Sequence, residues 1–201
     1  MTTASYAEGK SIGLLHLISL PSWIEVVIGV LLLDMLIYWQ HRIFHQSDFL
    51  WRFHRMHHMD PLLDVSSGLR FHPIEIIISN FIKVIAVLLL GINVSTVIIF
   101  EIALNGFAMF NHSNLGLSAT LEKFLSPLVI TPAKHNIHHS IIRNETNSNY
   151  GFSVPWWDMI FASYKKSGTK TMAEMTIGIP GDYDQQLVEF PKMLIVPFIK
   201  L

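Results

Sequence analysis

Trp51-Arg52-Phe53-His54-Arg55-Met56-His57-His58 is the stretch on which the reading of the chain turns. Its three histidines stand at i, i+3 and i+4. On a helix, residues three and four apart are neighbours, so all three imidazoles share one face. The pattern is not isolated. His41 and His45 lie four apart just upstream, and His135, His138 and His139 repeat H-x-x-H-H far downstream. The eight imidazoles predict a metal centre at the edge of a membrane.

Accident is a poor account of this pattern. With 11 histidines in 201 residues, one specified H-x-x-H-H arises by chance with a frequency of about 0.03. Two copies and an H-x-x-x-H do not. A lone histidine such as His16 is different, and a packing or interface role is expected for it.

Composition narrows the class. Hydrophobic residues make up 51% and charged residues 14%, against about 25% charged in ordinary soluble domains. Mean hydropathy is +0.41. The net charge of -1 and the scattered basic residues give no footprint for nucleic acid. The absence of cysteine excludes disulfides, thiolate metal sites and iron–sulfur clusters. The first ten residues show no cleavable signal pattern, and residues 1–10 read as a polar, mobile start. A single membrane domain is expected over residues 1–201, with its core motifs at about 30–165 and a tail from 167 that carries no chemistry.

Working outward, Ser11 to Leu20 is apolar but too short to span about 30 Å of hydrocarbon, which predicts an interfacial or partly re-entrant segment. Trp23 to Trp39 is the first credible span, with Tyr38 and Trp39 as an aromatic belt and Asp34 as a costly carboxylate inside it. The same helix can continue through His41 and His45. Residues 46–73 are charged and aromatic, hence outside the hydrocarbon. Ile74 to Leu90 and Val94 to Met109 flank the turn signal Gly91-Ile92-Asn93 and read as a helical hairpin. Lys83 must snorkel or pair at its depth. Residues 115–130 predict a surface helix, 144–149 a polar loop, and Trp156 to Phe161 a further interface segment. The fold class expected is all-α, multi-pass, with a helical cap that carries a histidine-ligated di-metal site.

The topology is self-consistent. The first span delivers His41 to one face, and the hairpin leaves that face and returns to it with His112. All clusters therefore converge on one side. Arg42, Arg52, Arg55, Arg70, Lys134, Arg143, Lys165 and Lys166 share it, and the positive-inside rule makes it cytoplasmic.

Neutral imidazole suits Zn, Cu, Fe and Ni. One ion cannot use eight imidazoles, so two ions are expected. An all-nitrogen two-metal site at a membrane surface fits oxygen-activating iron better than structural zinc, and the bilayer delivers lipid laterally to such a site. Asp60, Asp64, Asn111 and Asn136 are candidates to orient the rings.

The order of motifs then resembles a known family. His41-Arg42-Ile43-Phe44-His45 and Leu50 to His58 come first. Arg70-Phe71-His72-Pro73-Ile74-Glu75 and Asn111-His112-Ser113-Asn114 follow. Thr131-Pro132 leads to His135-Asn136-Ile137-His138-His139-Ser140, with Asn149-Tyr150-Gly151 and Trp157-Asp158 last. This order, over roughly residues 30–165, looks like the fatty acid hydroxylase, or sterol desaturase, superfamily. The resemblance implies a non-haem di-iron centre on His41, His45, His54, His57, His58, His135, His138 and His139, with His112 and His72 as candidates to complete the ligand set. It implies O2 as co-substrate and a membrane lipid as substrate: a sterol, fatty acyl chain, carotenoid or ether lipid that is hydroxylated or desaturated. No fused haem or flavin domain and no Gly-rich nucleotide fingerprint is visible, so a separate electron donor, cytochrome b5- or ferredoxin-like, is expected. The spans before the first cluster are few for the family, and a homodimer is one way to complete the walls of a lipid channel. The competing reading is a membrane metal-binding protein without redox chemistry, which needs the histidines but neither iron nor reductant.

Overall fold

The computed structural model of the chain describes residues 2–171, 174–181, 185–189 and 191–199. It is all-α apart from an isolated antiparallel bridge between Ser140 and Ile177. Three long apolar helices span the membrane: α2 (Ser22–Gln46), α4 (Pro73–Leu90) and α5 (Val94–Asn111). They are preceded by α1 (Thr2–Gly9). The cap is built from α3 (Asp48–His58), α6 (Ala119–Leu125), α7 (Pro132–His138), α8 (Arg143–Thr146) and α9 (Trp156–Ile160).

Local chemistry sets most of these boundaries. α2 ends at Ser47, whose extended backbone stops the helix and whose hydroxyl accepts from Leu50 N to cap α3. Histidines 41 and 45 thus ride the last turns of the span, and α3 starts at once beside them. Gly91, with φ 71°, ends α4 in the left-handed conformation that favours glycine. Asn93 then caps α5 by accepting from Thr96 N at 2.8 Å. Pro73 and Pro132 each occupy the first turn of a helix, where a missing N–H is harmless. Pro132 therefore starts the third histidine helix. α6 is correspondingly shorter than the span expected over 115–130.

α4 and α5 are each 18 residues long, about 27 Å at 1.5 Å per residue, slightly under the hydrocarbon thickness. Their outward faces carry exposed Ile77, Phe81, Leu89 and Ile102, as a lipid-facing surface requires. Inside, Leu33, Ile37, Val87, Ile92 and Phe100 form the core between α2, α4 and α5. α2 crosses α5 closely at Gly29, where a Cβ would lie 2.7 Å from Thr96 Cγ2. Lys83 is paired: its Nζ lies 2.6 Å from Glu101 Oε1 across the hairpin.

Four segments depart from the sequence reading or add to it. The polar start is helical over Thr2–Gly9, with Ala4 and Ala7 buried, and Ala4 joins the membrane core. Small side chains let that polar helix lie close against its neighbours. The apolar stretch after it makes a 3-10 turn, Leu14–Leu17, with Gly13 packed directly on Gly91 of the hairpin turn. His16, exposed, also touches that turn. The polar stretch 144–149 is not a surface loop: Glu145 and Asn149 are fully buried. Asn149 donates to Lys134 O and Lys165 O and so binds the third histidine helix to the chain beyond it. The tail carries packing if not chemistry. Met193 and Val196 meet Met56 and Met59 of the α3 region, and Arg55 donates to the carbonyls of Val196 and Ile199.

Candidate metal centre

Nine histidines collect into two adjoining groups. His41, His45, His54, His58 and His138 form one; His57, His112, His135 and His139 form the other. Within each group, one potential ligand atom from every residue lies within 4.8 Å of the rest. All but the partly exposed His45 are buried. The elements divide their histidines in a definite way. α2 gives both of its histidines to the first group. α3 gives His54 and His58, one turn apart, to the first and His57 to the second. The α7 segment does the reverse: His135 and His139 serve the second group and His138 the first. The groups abut, with the His58 and His139 rings stacked at 4.2 Å.

The hydrogen bonds fix which ring nitrogens face inward. Nδ1 of His41 lies 2.7 Å from Tyr150 O, that of His138 2.8 Å from Ser148 O, and that of His112 2.6 Å from Ala108 O. A carbonyl only accepts, so each Nδ1 carries the proton and each Nε2 presents a lone pair. His54 Nδ1 donates to Glu75 Oε1 at 2.7 Å, with the same result. Yet His41 Nε2 and His54 Nε2 approach to 3.0 Å, and His112 Nε2 lies 3.1 Å from His57 Nε2 and 2.9 Å from His135 Nε2. Two lone pairs at that distance, as in His41 and His54, have no hydrogen to share. They repel unless a cation stands between them. Both ring nitrogens of His58, and Nε2 of His138, have no hydrogen-bond partner among the described residues although buried. This donor set fits metal ions.

Electrostatics agrees. Burial holds His138 down to about 3 and His112 down to about 4, and pushes His57, His58, His135 and His139 well below the ordinary imidazole range. The rings are therefore neutral at physiological pH, which is the form that ligates.

The groups that hold the rings are largely not those the sequence suggested. Asp60 accepts from Ser67 and pairs with Arg70. Asp64 caps Ser66 N, and Asn111 donates to Phe152 O. Asn136 is half-buried beside the third cluster. Backbone carbonyls do most of the orienting, and these leave no signature in a sequence. Asp158 acts one step further out. Its carboxylate accepts from Tyr150 N, Gly151 N and Ser163 Oγ, and so fixes the segment whose carbonyl holds His41. Glu75 had a legible signal: it is an acidic residue in the first turn of an apolar helix, at the membrane border.

His72, a candidate to complete the ligand set, stands outside both groups. Its Nδ1 accepts from Ile74 N to cap α4, and its Nε2 donates to Leu194 O in the tail. With both nitrogens engaged, it works as a helix cap next to Pro73.

A cavity of about 290 Å³ reaches the first group from between the membrane helices. His41, His54 and Glu75 lie at one end. Lys83 and Glu101 lie at the other, and Ile37, Phe44, Leu104 and Phe152 are among the apolar walls. A second cavity, of about 320 Å³, reaches His45 on the side of Trp51, Arg55 and Arg143.

Comparison with known proteins gives concordant results. The model of the fatty acid hydroxylase family matches residues 26–163. The ornithine lipid hydroxylase OlsE of Rhizobium tropici is 28% identical over 162 residues, covering 80% of this chain and 47% of the relative. Alkylglycerol monooxygenase of Danio rerio is 28% identical over 183 residues, covering 87% and 38%. Methylsterol monooxygenase 2-2 of Arabidopsis thaliana is 26% identical over 166 residues, covering 81% and 62%. The chain thus spans less than half the length of the first two. No solved structure matches significantly.

Proposed function

The chain belongs to the fatty acid hydroxylase family, and from that premise we propose that it is an O2-dependent non-haem di-iron oxidoreductase that hydroxylates or desaturates a C–H bond of a membrane lipid. The observation that carries this reading is the convergence of inward-facing Nε2 lone pairs on two adjoining points, at the end of a cavity open between membrane helices.

His41, His45, His54, His58 and His138 would hold one ion and His57, His112, His135 and His139 the other. Bound there, the ions would supply the activation of O2 that cleavage of an unactivated C–H bond requires. The chain's own residues do the rest. The apolar cavity walls receive a hydrocarbon chain and exclude water from it. The carbonyls of Tyr150, Ser148 and Ala108 and the Glu75 carboxyl keep the rings in one tautomer, with Nε2 bare and facing inward. Electrons come from a separate protein. The basic residues on the histidine side support a cytoplasmic orientation for the centre.

The test is direct. Purified protein is expected to hold about two irons per chain. Cells that make it, grown under labelled O2, are expected to contain a lipid with the label at a new hydroxyl, or a lipid with a new double bond. Full function with zinc alone would favour the non-redox reading instead. Substantial activity in His138→Ala would remove the proposal.

A further inference from the structure

At the metal end of the lipid cavity, two polar atoms lack partners. Glu75 is 6% exposed, and its Oε1 is taken by His54. Its Oε2 is buried and accepts no hydrogen bond from the described residues. From α2, Gln40 donates from Nε2 to Ser79 Oγ of α4 at 3.0 Å, and its Oε1 is likewise buried and accepts no hydrogen bond from the described residues. Gln40, Ser79 and Glu75 all line the cavity. Ser79 stands one helical turn beyond Glu75, so the two acceptors lie on the same reach of wall.

A buried acceptor left unmade costs about 1–3 kcal/mol, and more when charged. An all-hydrocarbon occupant would leave both oxygens in that state. The far end of the cavity is different. There Lys83 and Glu101 satisfy each other, eight residues along α4 from Glu75, or about 12 Å. The unmet demand is therefore beside the histidines and not at the deep end.

We infer that Glu75 and Gln40 form an anchor for a hydrogen-bond donor on the lipid, so that the substrate carries a hydroxyl or amide N–H within a few bonds of the carbon that reacts. The inference rests on the oxidoreductase reading for the word "reacts", but the anchor itself is a binding site and can be tested without turnover. Glu75 is a positioning residue in two senses: one oxygen orients His54 and the other orients the lipid. Gln40 sets specificity with it. The hydrocarbon of such a lipid extends away along the apolar walls toward the Lys83–Glu101 pair.

The experiment uses paired probes that differ only in the donor. Hexadecan-1-ol is compared with its methyl ether, and hexadecanamide with its N,N-dimethyl amide, by native mass spectrometry of the purified, iron-loaded protein in detergent. At least one donor-bearing probe is expected to bind about tenfold more tightly than its blocked partner. Glu75→Gln still offers His54 a carbonyl acceptor, but its free atom becomes an NH2 donor. In that variant the preference is expected to shrink to within about twofold. Gln40→Leu, whose native side chain bonds only Ser79, is expected to lose about threefold of it and is scored independently of iron content. Equal binding within both pairs by the wild type would overturn the anchor. So would an unchanged preference in both variants. A donor preference with neither a labelled hydroxyl nor a new double bond in any lipid would sink the oxidoreductase reading and leave the anchor standing. Either lipid product without a donor preference would do the opposite.

Discussion

The α3 and α7 segments carry the same string, H-x-x-H-H, and divide it in opposite proportions. α3 sends its first and third histidines to one group and its second to the other; the α7 segment sends its first and third to the second group and its middle one across. On each segment the i, i+4 pair shares a partner ion's position, while the residue between them reaches over. The difference teaches that spacing defines a face and not an address. Two such faces, packed opposite each other, interleave. Each group then contains ligands from separate parts of the chain, and neither is complete until the α3 and α7 segments have packed together.

The sharpest way to break this comparison is to remove the two crossing residues. His57→Ala and His138→Ala each delete the one ligand that a segment lends to the far group. Each is expected to lower bound metal to about one ion per chain or less and to reduce lipid oxidation by more than about 100-fold, beyond the 10–100-fold typical of losing an outer partner. Metal analysis of the purified variants checks this. His72→Ala serves as the contrast, with metal content expected to stay near that of the wild type.

A smaller effect separates the carbonyls that hold each group. Asp158→Ala strips the acceptor from Tyr150 N, Gly151 N and Ser163 Oγ, which loosens the carbonyl behind His41 in the first group alone. A loss of about 10–100-fold in metal affinity is expected there, read by chelator competition, with the second group's ion retained. Gly68→Ala is the counterpart for the second group. Its Cβ would fall 2.8 Å from Ala108 O and 3.2 Å from His112 Nδ1, between the two atoms of the bond that orients that ring. A destabilisation of about 1–3 kcal/mol is expected, measurable as a lowered denaturation midpoint.

Acid should act on both groups together. Above pH 6.5 the histidines are neutral whether folded or unfolded, so stability does not respond to pH through them. Below it the unfolded chain takes up protons that the buried rings refuse, down to about 4 for His112 and about 3 for His138. The depressed values mean that stability is lost as pH falls from about 6.5 toward those values. Metal release follows the same direction, because protons compete for the same lone pairs. The apparent melting temperature of metal-free protein is expected to be lower at pH 5 than at pH 7.5. The smallest effect belongs to the far end of the cavity. Replacing Lys83 and Glu101 together by Met and Gln is expected to change stability by less than about 1 kcal/mol, whereas Lys83→Met alone should cost more, since it strands Glu101.

Much of this molecule was legible in its sequence because the signals are local. Apolar runs of membrane length, the Gly91-Ile92-Asn93 turn and the one-turn spacing of the histidines each depend on neighbours along the chain, and the helices appear where those signals put them. Lys83 announced that it needed a partner without saying which. Residues 1–10 misled because α1 is held by tertiary packing of Ala4 and Ala7, not by its own propensity. The buried stretch around Glu145 and Asn149 misled for the same reason: Glu145 Oε1 and the Asn149 amide are bonded by backbone from distant segments.

By itself, then, the amino-acid order determined that this is a helical membrane protein with imidazoles gathered at one border of the bilayer, since periodicity and hydropathy act over a few residues. Only the tertiary structure decided which imidazoles stand together, that His72 caps a helix instead of joining them, and that Glu75 turns one oxygen to His54 and leaves the other buried without a hydrogen bond from the described residues. Those are distances between residues far apart in the chain, and they exist only once the hairpin has returned His112 to the cap and α7 has closed over α3.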